Sequence, residues 1–325
     1  MILICLFLSI QVFAADDVKR TKAMSAYPDV QAFAKEIAAK NKLDEASILK
    51  AFDKSFFDYS IIDLLKTPAE TKSWSWYSQT IVSEERIKNG RKYLETHRAS
   101  LALAHKHWGV PQNLITAIIG IESTYGTYPF KRNAVTSLGT IAFEYPRRAK
   151  YFQSELESLF IFAAKDKTDP LTIKGSYAGA IGIPQFMPSN ILQYGKDGDA
   201  DGHIDLVGSH ADAIESIAYY IFRHGWQEGK AMATLAKLTK TLPDSAFGNE
   251  PCNIKNYKTI RELKGLGVEF DNSYPDNTYA MLSRLDEDKG YTTIVFFENS
   301  CPIHKYNRSL KYTAAISLLA NELVK

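Results

Sequence analysis

The chain has 325 residues, of which 45% are hydrophobic and 23% are charged, the balance of an ordinary globular protein. This length corresponds to about two average domains, and the composition excludes a disordered tail protein, a collagen-like repeat and a coiled coil. The 39 basic and 37 acidic residues give a formal net charge of +2 at pH 7. Because this charge gives no support to nucleic-acid binding, a ligand has to be recognised by local chemistry.

The N-terminus begins with an apolar run over residues 2–13, shorter than the roughly 20 residues of a membrane-spanning helix. We predict that residues 1–15 form a secretory signal peptide, although no Lys or Arg precedes the apolar run. The alternative is a buried N-terminal helix. The signal peptide predicts an exported protein.

The cysteines are consistent with export. Removal of the signal peptide takes Cys5 away and leaves Cys252 and Cys301. Since an even pair of cysteines in an oxidising compartment commonly pairs, we predict a disulfide between them. The alternative is two separate buried thiols. Three cysteines without CxxC spacing do not make a zinc site.

The secondary structure is predicted to be mainly helical. Apolar residues recur at helical spacing and predict helices over residues 29–65, 84–107, 111–122, 151–165, 211–223 and 310–323. Closely spaced Gly and Pro residues predict a loop over residues 173–190. After residue 232, Pro and Gly again interrupt the pattern, and residues 279–285 and 292–297 are predicted to be strands. The predicted fold class is therefore α+β, with a small mixed α/β insertion in a mainly helical body.

The predicted helix over residues 111–122 carries a candidate acid. Ile118 and Ile119 belong to an apolar stripe, and Glu122 continues it. A carboxyl group beside an apolar surface loses hydration, which raises its pKa and suits a general acid near neutral pH. The alternative is a Glu at a frayed helix end that points into solvent. The hydroxyl and aromatic side chains of residues 123–125 are typical of a sugar-binding cleft.

A candidate cation site lies in residues 197–205, which reproduce the first nine positions of an EF-hand calcium loop. Carboxylates stand at positions 1, 3 and 5, namely Asp197, Asp199 and Asp201, and Gly202 stands at position 6. Position 12, where the bidentate Glu belongs, is Gly208. The alternative is a solvated, Asp-rich turn that binds no ion.

Six separated blocks resemble the membrane-bound lytic murein transglycosylase B family and occur in the order found in that family. The blocks are GVPQNLITAIIGIESTYG (109–126), FEYPRRAKYF (143–152), KGSYAGAIGIPQFMPS (174–189), DADGHIDL (199–206), HGW (224–226) and KYNRS (305–309). The resemblance extends over residues 29–325, is most specific over residues 109–226 and is weakest over residues 232–300.

The resemblance implies a domain organisation. A helical N-terminal region over residues 16–100 is expected to precede a lysozyme-like catalytic core over residues 101–231, which includes the EF-hand-like loop. A small mixed α/β subdomain over residues 232–300 is expected to follow, and residues 301–325 are expected to return to the core.

The family's activity implies that the protein cleaves the β-1,4 bond between N-acetylmuramic acid and N-acetylglucosamine in peptidoglycan without water. Glu122 would act first as general acid and then as base, leaving a 1,6-anhydro end. The implied protein is a periplasmic monomer, free or membrane-associated, that binds glycan strands and other cell-wall enzymes, binds no nucleic acid and needs no catalytic cofactor. Two alternatives stay open, namely a lysozyme-type hydrolase of the same bond and a non-catalytic peptidoglycan-binding protein.

The resemblance also implies residues around Glu122. The implied substrate-binding residues are Tyr77, Ser123, Arg147, Arg148, Ser176, Gln185, Phe186, Tyr220, Tyr306, Asn307 and Tyr312. Either of the two arginines suits a carboxylate of the substrate, whereas core packing is the alternative for Phe186 and for each tyrosine. Glu155 and Glu157 are interpreted as helix surface or as partners of the two arginines.

For the cation loop, the family pattern implies a later closing ligand, Asp212, and a backbone ligand at the carbonyl of His203. A bound calcium ion would be structural, because the expected chemistry needs no metal.

Overall fold

The computed structural model describes residues 19–66, 72–270 and 274–325, so the predicted signal peptide lies outside the described residues. None of the helices in these three ranges combines the length and apolar character that crossing a bilayer requires.

Seven helices make up the first part of the described chain. They are α1 (Pro28–Asn41), α2 (Glu45–Asp53), α3 (Tyr59–Leu65), α4 (Trp74–Ile81), α5 (Glu84–Thr96), α6 (Arg98–Trp108) and α7 (Gln112–Ser123). Their ends follow capping rules: the Asp44 carboxylate accepts hydrogen bonds from the first turn of α2, and α6 ends at Gly109 in a left-handed conformation. The residues from Leu114 to Gly120 are buried, so α7 is the central helix of the body.

The next part of the chain continues the helical body, and its last helix, α11, packs against α6 and α7. It contains β1 (Arg132–Asn133), α8 (Ala134–Glu144), α9 (Ala149–Asp166), β2 (Lys174–Gly175), α10 (Pro188–Tyr194) and α11 (His210–Arg223). The short strands β1 and β2 pair antiparallel and fix the start of the glycine-rich loop beside α8. One hydrophobic core joins α1–α3 and α5–α11 with the C-terminal helix.

The remaining elements include a four-stranded antiparallel sheet. In chain order they are β3 (Ala233–Leu235), β4 (Lys237–Leu238), β5 (Lys258–Thr259), α12 (Ile260–Gly265), β6 (Val268–Glu269), β7 (Tyr279–Asp286), β8 (Tyr291–Phe297), α13 (Ser300–Tyr306) and α14 (Leu310–Glu322). The strand order in the sheet is β3-β8-β7-β5, and β4 pairs separately with β6.

Both faces of the four-stranded sheet are buried. Alternate side chains of a strand point to opposite faces. Met281 and Phe296 on one face pack toward Trp74 and α14. Leu282 and Val295 on the other face pack toward the apolar side chains of α12. The sheet therefore holds α14 against the helical body, and α14 lies beside α7.

The predicted elements differ from the structure in two instructive places. The predicted helix over residues 84–107 is broken at His97 into α5 and α6. Helix α8 was not predicted, because nearly all of its residues are buried and the sequence shows no polar face to reveal a helical period.

The sulfur atoms of Cys252 and Cys301 form a disulfide, with Cα atoms 4.7 Å apart. The bond joins the loop before β5 to the first turn of α13. It therefore anchors the short helix that leads to Tyr306.

Candidate active site

Glu122 lies in the last turn of α7, where the chain turns sharply. After Ser123, the three residues Thr124, Tyr125 and Gly126 have φ values of 50°, 60° and 78°. Non-glycine residues adopt this left-handed conformation rarely, so the surrounding structure has to hold the turn in place. A Cβ atom on Gly126 would lie 2.5 Å from the ring of His210, which explains why glycine occupies this position.

The carboxylate of Glu122 has one hydrogen-bond partner among the described residues. The hydroxyl of Tyr312, in the first turn of α14, donates to Glu122 Oε1 at 2.6 Å. Burial raises the pKa of Glu122 to about 7, and the Tyr312 hydrogen bond opposes this rise because it stabilises the anion. A pKa near neutrality lets Glu122 both donate and accept a proton at physiological pH.

A second tyrosine lies beside this pair. The ring of Tyr306, at the end of α13, is stacked on that of Tyr312 with centroids 6.4 Å apart. Burial, followed by the charge of Glu122, raises the pKa of both hydroxyls well above the usual value. Both tyrosines therefore stay neutral, and Tyr312 remains a hydrogen-bond donor at any working pH.

The tyrosines connect Glu122 to the glycine-rich loop and to α4. The hydroxyl of Tyr306 donates to the carbonyl of Pro184 at 2.5 Å. Tyr77 on α4 is half-buried, stacks on Trp74 with centroids 6.3 Å apart and lies close enough to Tyr312 to affect its pKa. Tyr77, Tyr306, Tyr312 and Glu122 are thus brought together from distant parts of the sequence.

The glycine-rich loop presents two predicted residues in half-buried positions. Ser176 Oγ accepts a hydrogen bond from the Ala180 amide at 3.2 Å, and Gln185 Nε2 donates to the Gly182 carbonyl at 2.8 Å. A Cβ atom on Gly182 would collide with the carbonyl of Leu206, so glycine permits this close approach of two backbones. The loop is held by its own hydrogen bonds, and among the described residues the Ser176 hydroxyl has no acceptor and Gln185 Oε1 has no donor.

Besides Tyr312, three predicted substrate-binding residues are buried. Ser123, Phe186 and Tyr220 are 1%, 1% and 5% exposed. The Ser123 hydroxyl donates to the Ile119 carbonyl, the Tyr220 hydroxyl donates to the Lys305 carbonyl, and the Phe186 ring packs against Tyr220 and Tyr306. These three side chains face the protein interior and support the site from behind, so their contact with substrate stays a prediction.

The structure leaves three other predicted residues exposed. Arg147 and Arg148 precede α9, and the Arg148 guanidinium lies over the rings of Tyr151 and Phe152. Asn307 follows α13. Within the described ranges, none of the three forms a hydrogen bond or ion pair with Glu122.

The other acids near Glu122 in sequence have partners of their own. Glu155 is buried and accepts hydrogen bonds from the amide and hydroxyl of Ser189 at the start of α10. Glu157 pairs with Lys40 and accepts from Asn41. Neither acid pairs with Arg147 or Arg148, so that interpretation is wrong, and the helix-surface alternative is wrong for the buried Glu155.

Glu144 pairs with Arg20 and accepts a hydrogen bond from the hydroxyl of Tyr59. Among the described residues, no second carboxylate contributes to the pKa shift of Glu122. The site therefore offers one acid rather than the pair that flanks the bond in most glycosidases.

The cation loop gathers three of its predicted ligands. Carboxylate oxygens of Asp197, Asp199 and Asp212 lie within 4.8 Å of one another. Asp212 is buried and accepts hydrogen bonds from the amides of Gly198 and Asp205. Burial, with the charge of Asp199 as a further cause, raises the pKa of Asp212. Three oxygen donors that repel one another fit a hard cation such as calcium.

The predicted side-chain ligand Asp201 lies outside this group, and the backbone carbonyl of His203 stays a predicted ligand. Asp201 accepts a hydrogen bond from the amide of His203, and the His203 ring is 3.1 Å from the carbonyl of Asp166. The sequence reasoning missed Ser209, whose hydroxyl donates to Asp199 and also accepts from the Asp212 amide. The signal was present, because Ser209 is followed three residues later by an acid, as in a helix N-cap.

A mainly helical α+β fold with a single protonatable acid among tyrosines defines a lysozyme-like enzyme that acts on glycan. Residues 25–321 match the Transglycosylase SLT domain family. The chain belongs to this family and is a lytic murein transglycosylase.

Known proteins resemble the chain over nearly its whole length. It is 32% identical over 299 residues to membrane-bound lytic murein transglycosylase B of Escherichia coli strain K12, an alignment that covers 89% of this chain and 81% of the relative. The structure of the catenated lytic transglycosylase SltB1 of Pseudomonas aeruginosa matches with a TM-score of 0.83 and 33% identity over 92% of this chain and 98% of SltB1. The Escherichia coli lytic transglycosylase Slt35 in complex with calcium matches with a TM-score of 0.81 and 30% identity, covering 94% and 96% of the two chains.

Proposed function

We propose that Glu122 alone supplies the acid and the base for cleavage of the β-1,4 bond between N-acetylmuramic acid and N-acetylglucosamine. The observation that carries this proposal is the position of Glu122 at the end of α7, with its pKa raised to about 7 and with Tyr312 as its hydrogen-bond donor. One carboxyl group that is half protonated near neutral pH can serve both steps of a reaction that consumes no water.

In the first step, protonated Glu122 donates its proton to the glycosidic oxygen, and the bond from that oxygen to C1 of the muramic residue breaks. The departing strand leaves with a free hydroxyl at C4 of its glucosamine. The acetamido oxygen of the muramic residue stabilises the positive charge at C1, because no second carboxylate is near Glu122 in the described part of the chain. The Tyr312 hydroxyl stabilises the Glu122 carboxylate that forms in this step.

In the second step, the Glu122 carboxylate takes the proton from the C6 hydroxyl of the muramic residue, and the C6 oxygen bonds to C1. A 1,6-anhydro ring forms, and Glu122 is protonated again for the next cycle. No water is consumed, and the atoms of the substrate are divided between the two product strands.

The surrounding residues define where the glycan lies. Tyr77 on α4 lies close to Tyr312, and Ser176 and Gln185 are half-buried on the loop whose Pro184 carbonyl accepts from Tyr306, so we assign these three residues to sugar contacts. The exposed guanidinium groups of Arg147 and Arg148 suit carboxylates of the peptide stem. Asn307 is exposed beside Tyr306 and fits an outer position.

The cation loop is assigned to a structural calcium ion held by Asp197, Asp199 and Asp212. The grouping of their carboxylates supports this assignment, and a ligand at the start of α11 would tie the loop to the helical body. The N-terminal apolar run supports export, which gives the enzyme access to peptidoglycan outside the cytoplasm.

Mass spectrometry of the muropeptides that the mature protein releases from purified sacculi tests the proposed reaction. We expect products with 1,6-anhydro ends, each lighter by one water than the corresponding reducing form. Reducing ends would mean hydrolysis, and release of no products with retained binding to sacculi would mean a peptidoglycan-binding protein. Either result contradicts the proposal.

A further inference from the structure

The Gly120 carbonyl, in the last turn of α7, does not accept the usual helical hydrogen bond from the amide four residues later. The amide of Thr124 donates to the Ile119 carbonyl instead of the Gly120 carbonyl, because the chain turns into the left-handed conformation there. A helix end normally leaves such carbonyls without partners inside the helix. Here Arg86 Nη1, from α5, donates to the Gly120 carbonyl oxygen two residues before Glu122.

Arg86 is itself tied to the turn that follows Glu122. The hydroxyl of Tyr125 donates to the backbone carbonyl of Arg86 at 2.7 Å. Tyr125 is only 6% exposed, so its ring lies between the helices rather than in the cleft, where the sequence pattern placed it. The two hydrogen bonds run in opposite directions between α5 and the residues on either side of Glu122.

Two glycines allow the helices to approach closely enough for these bonds. A Cβ atom on Gly120 would lie 2.6 Å from Tyr125 Cζ, and a Cβ atom on Gly90 would lie 2.6 Å from the Tyr125 hydroxyl oxygen. Gly90 lies one turn beyond Arg86 on α5. The ring of Tyr125 therefore fills a space that exists only because both helices lack a side chain there.

Burying the Arg86 guanidinium costs folding free energy, because one of its donors is left without a hydrogen bond. Its Nε atom is buried and has no hydrogen-bond partner within the part of the chain that the structure describes. A buried donor without a partner is unfavourable, and each such group in a native structure calls for an explanation. The cation does lie at the negative end of the α7 dipole, where it is favourable.

We propose that Arg86 and Tyr125 are positioning residues that set the orientation of Glu122 by clamping the end of α7 to α5. Neither residue touches the substrate. The inference rests on the proposed role of Glu122. A carboxyl group that donates to one oxygen and then accepts from another has to hold both distances within a few tenths of an ångström, and a clamp on both sides of it meets this need.

The test compares two arginines of α5 in the same assay. Arg91 Nη2 donates to the Glu322 carbonyl at the end of α14, so Arg91→Met removes the same kind of bond away from Glu122. We expect Arg86→Met to lower kcat on soluble glycan strands about 10- to 100-fold with KM within about twofold of wild type. Arg91→Met is expected to keep kcat within about twofold, and Arg86→Lys, which keeps the charge and a donor, is expected to recover part of the loss.

If Arg86→Met does not fold, Tyr125→Phe tests the proposal, because this substitution removes only the hydroxyl that bonds to Arg86 and keeps the ring. We expect a kcat about three- to tenfold below wild type with an unchanged KM. A kcat within about twofold of wild type in the folded variants, or equal losses in Arg86→Met and Arg91→Met, would overturn the proposal. Wild-type protein and Glu122→Gln run in parallel: an inactive wild type, or an active Glu122→Gln, would refute the proposed function instead.

Discussion

The two acidic sites of this protein differ in how many carboxyl groups they bring together. Glu122 is a single carboxyl group at the end of α7, enclosed by apolar surface and tyrosines, and burial raises its pKa to about 7. The cation loop brings the carboxylates of Asp197, Asp199 and Asp212 within 4.8 Å of one another at a surface turn. The site at Glu122 keeps one carboxyl group apart from other acids, whereas the cation loop places three carboxylates side by side.

The difference shows what each site can hold. An isolated, desolvated carboxyl group exchanges a proton near neutral pH, which is a catalytic property. A cluster of carboxylates is unfavourable without a cation and favourable with one, which is the property of a metal site. The same functional group, a carboxyl group, therefore suits catalysis at the end of α7 and cation binding in the cation loop only through its surroundings.

The largest expected effect comes from removing the isolated acid. Glu122→Gln should lower kcat at least about 1,000-fold, because the amide can neither donate the proton nor accept it. Glu157→Gln on α9 is the matched control, since Glu157 pairs with Lys40 and should affect turnover little. Release of anhydro-muropeptides from sacculi measures both. Turnover by Glu122→Gln near the wild-type rate would refute the single-acid mechanism.

The next largest effect should come from Tyr312→Phe, which removes the one donor to Glu122. We expect kcat to fall about 10- to 100-fold, since a hydrogen bond to a charged group contributes about 1.5–3 kcal/mol. The pKa of Glu122 should also rise further, because the lost bond stabilised its anion, so the alkaline limb of the pH–kcat profile should move upward.

Tyr306→Phe is the control, because its hydroxyl donates to Pro184 and not to Glu122. This variant should leave the alkaline limb in place. An unchanged limb in Tyr312→Phe as well would show that the hydrogen bond does not act on the titration of Glu122.

A third effect is on the pH dependence of the free energy of unfolding, because the pKa of Glu122 is raised by burial. Its folded-state pKa lies above its unfolded value of 4.5, so its stabilising contribution is complete at low pH and is lost as the pH rises through about 7. Relative to wild type, Glu122→Gln should therefore gain about 1–3 kcal/mol in the free energy of unfolding between about pH 5 and pH 8. Urea denaturation at both pH values measures the gain, and equal differences at the two values would contradict it.

The smallest expected effect is on the cation loop. Calcium in excess should raise the melting temperature by a few degrees over EDTA, because a ligand that binds only the folded state stabilises it. Without an ion, burial and Asp199 raise the pKa of Asp212, so protons compete with the cation and the calcium effect should shrink as the pH falls.

Asp212→Asn should remove the calcium effect, whereas Asp205→Asn should keep it, because the Asp205 side chain accepts from the amides of Val207 and Gly208. A calcium effect of equal size in wild type and Asp212→Asn would exclude the assigned site.

The sequence predicted the features that have a local pattern of apolar residues or of Gly and Pro. The apolar stripe that ends at Glu122, the loop with its glycines and the two long strands each have a local pattern, and the structure shows them at the predicted places. Helix α8 has no such pattern, because its burial on all sides removes the polar face that defines a helical period.

The residues that surround Glu122 were predictable only through the resemblance. Tyr312 donates to Glu122 from 190 positions away, and no spacing rule connects the two residues. A motif shows that a residue belongs near a site but not where its side chain points. Ser123 follows Glu122 directly and yet turns inward to the Ile119 carbonyl, because successive residues of a helix face different directions.

The measurement that tests the central claim most directly is digestion of glycan strands by the mature protein in water enriched in ¹⁸O, followed by mass spectrometry of the new ends. If Glu122 acts as acid and then as base on the C6 hydroxyl, the muramic ends are anhydro forms and carry no ¹⁸O, because no water enters the reaction. Reducing muramic ends that each carry one ¹⁸O atom would show that water attacks C1 and would contradict the account.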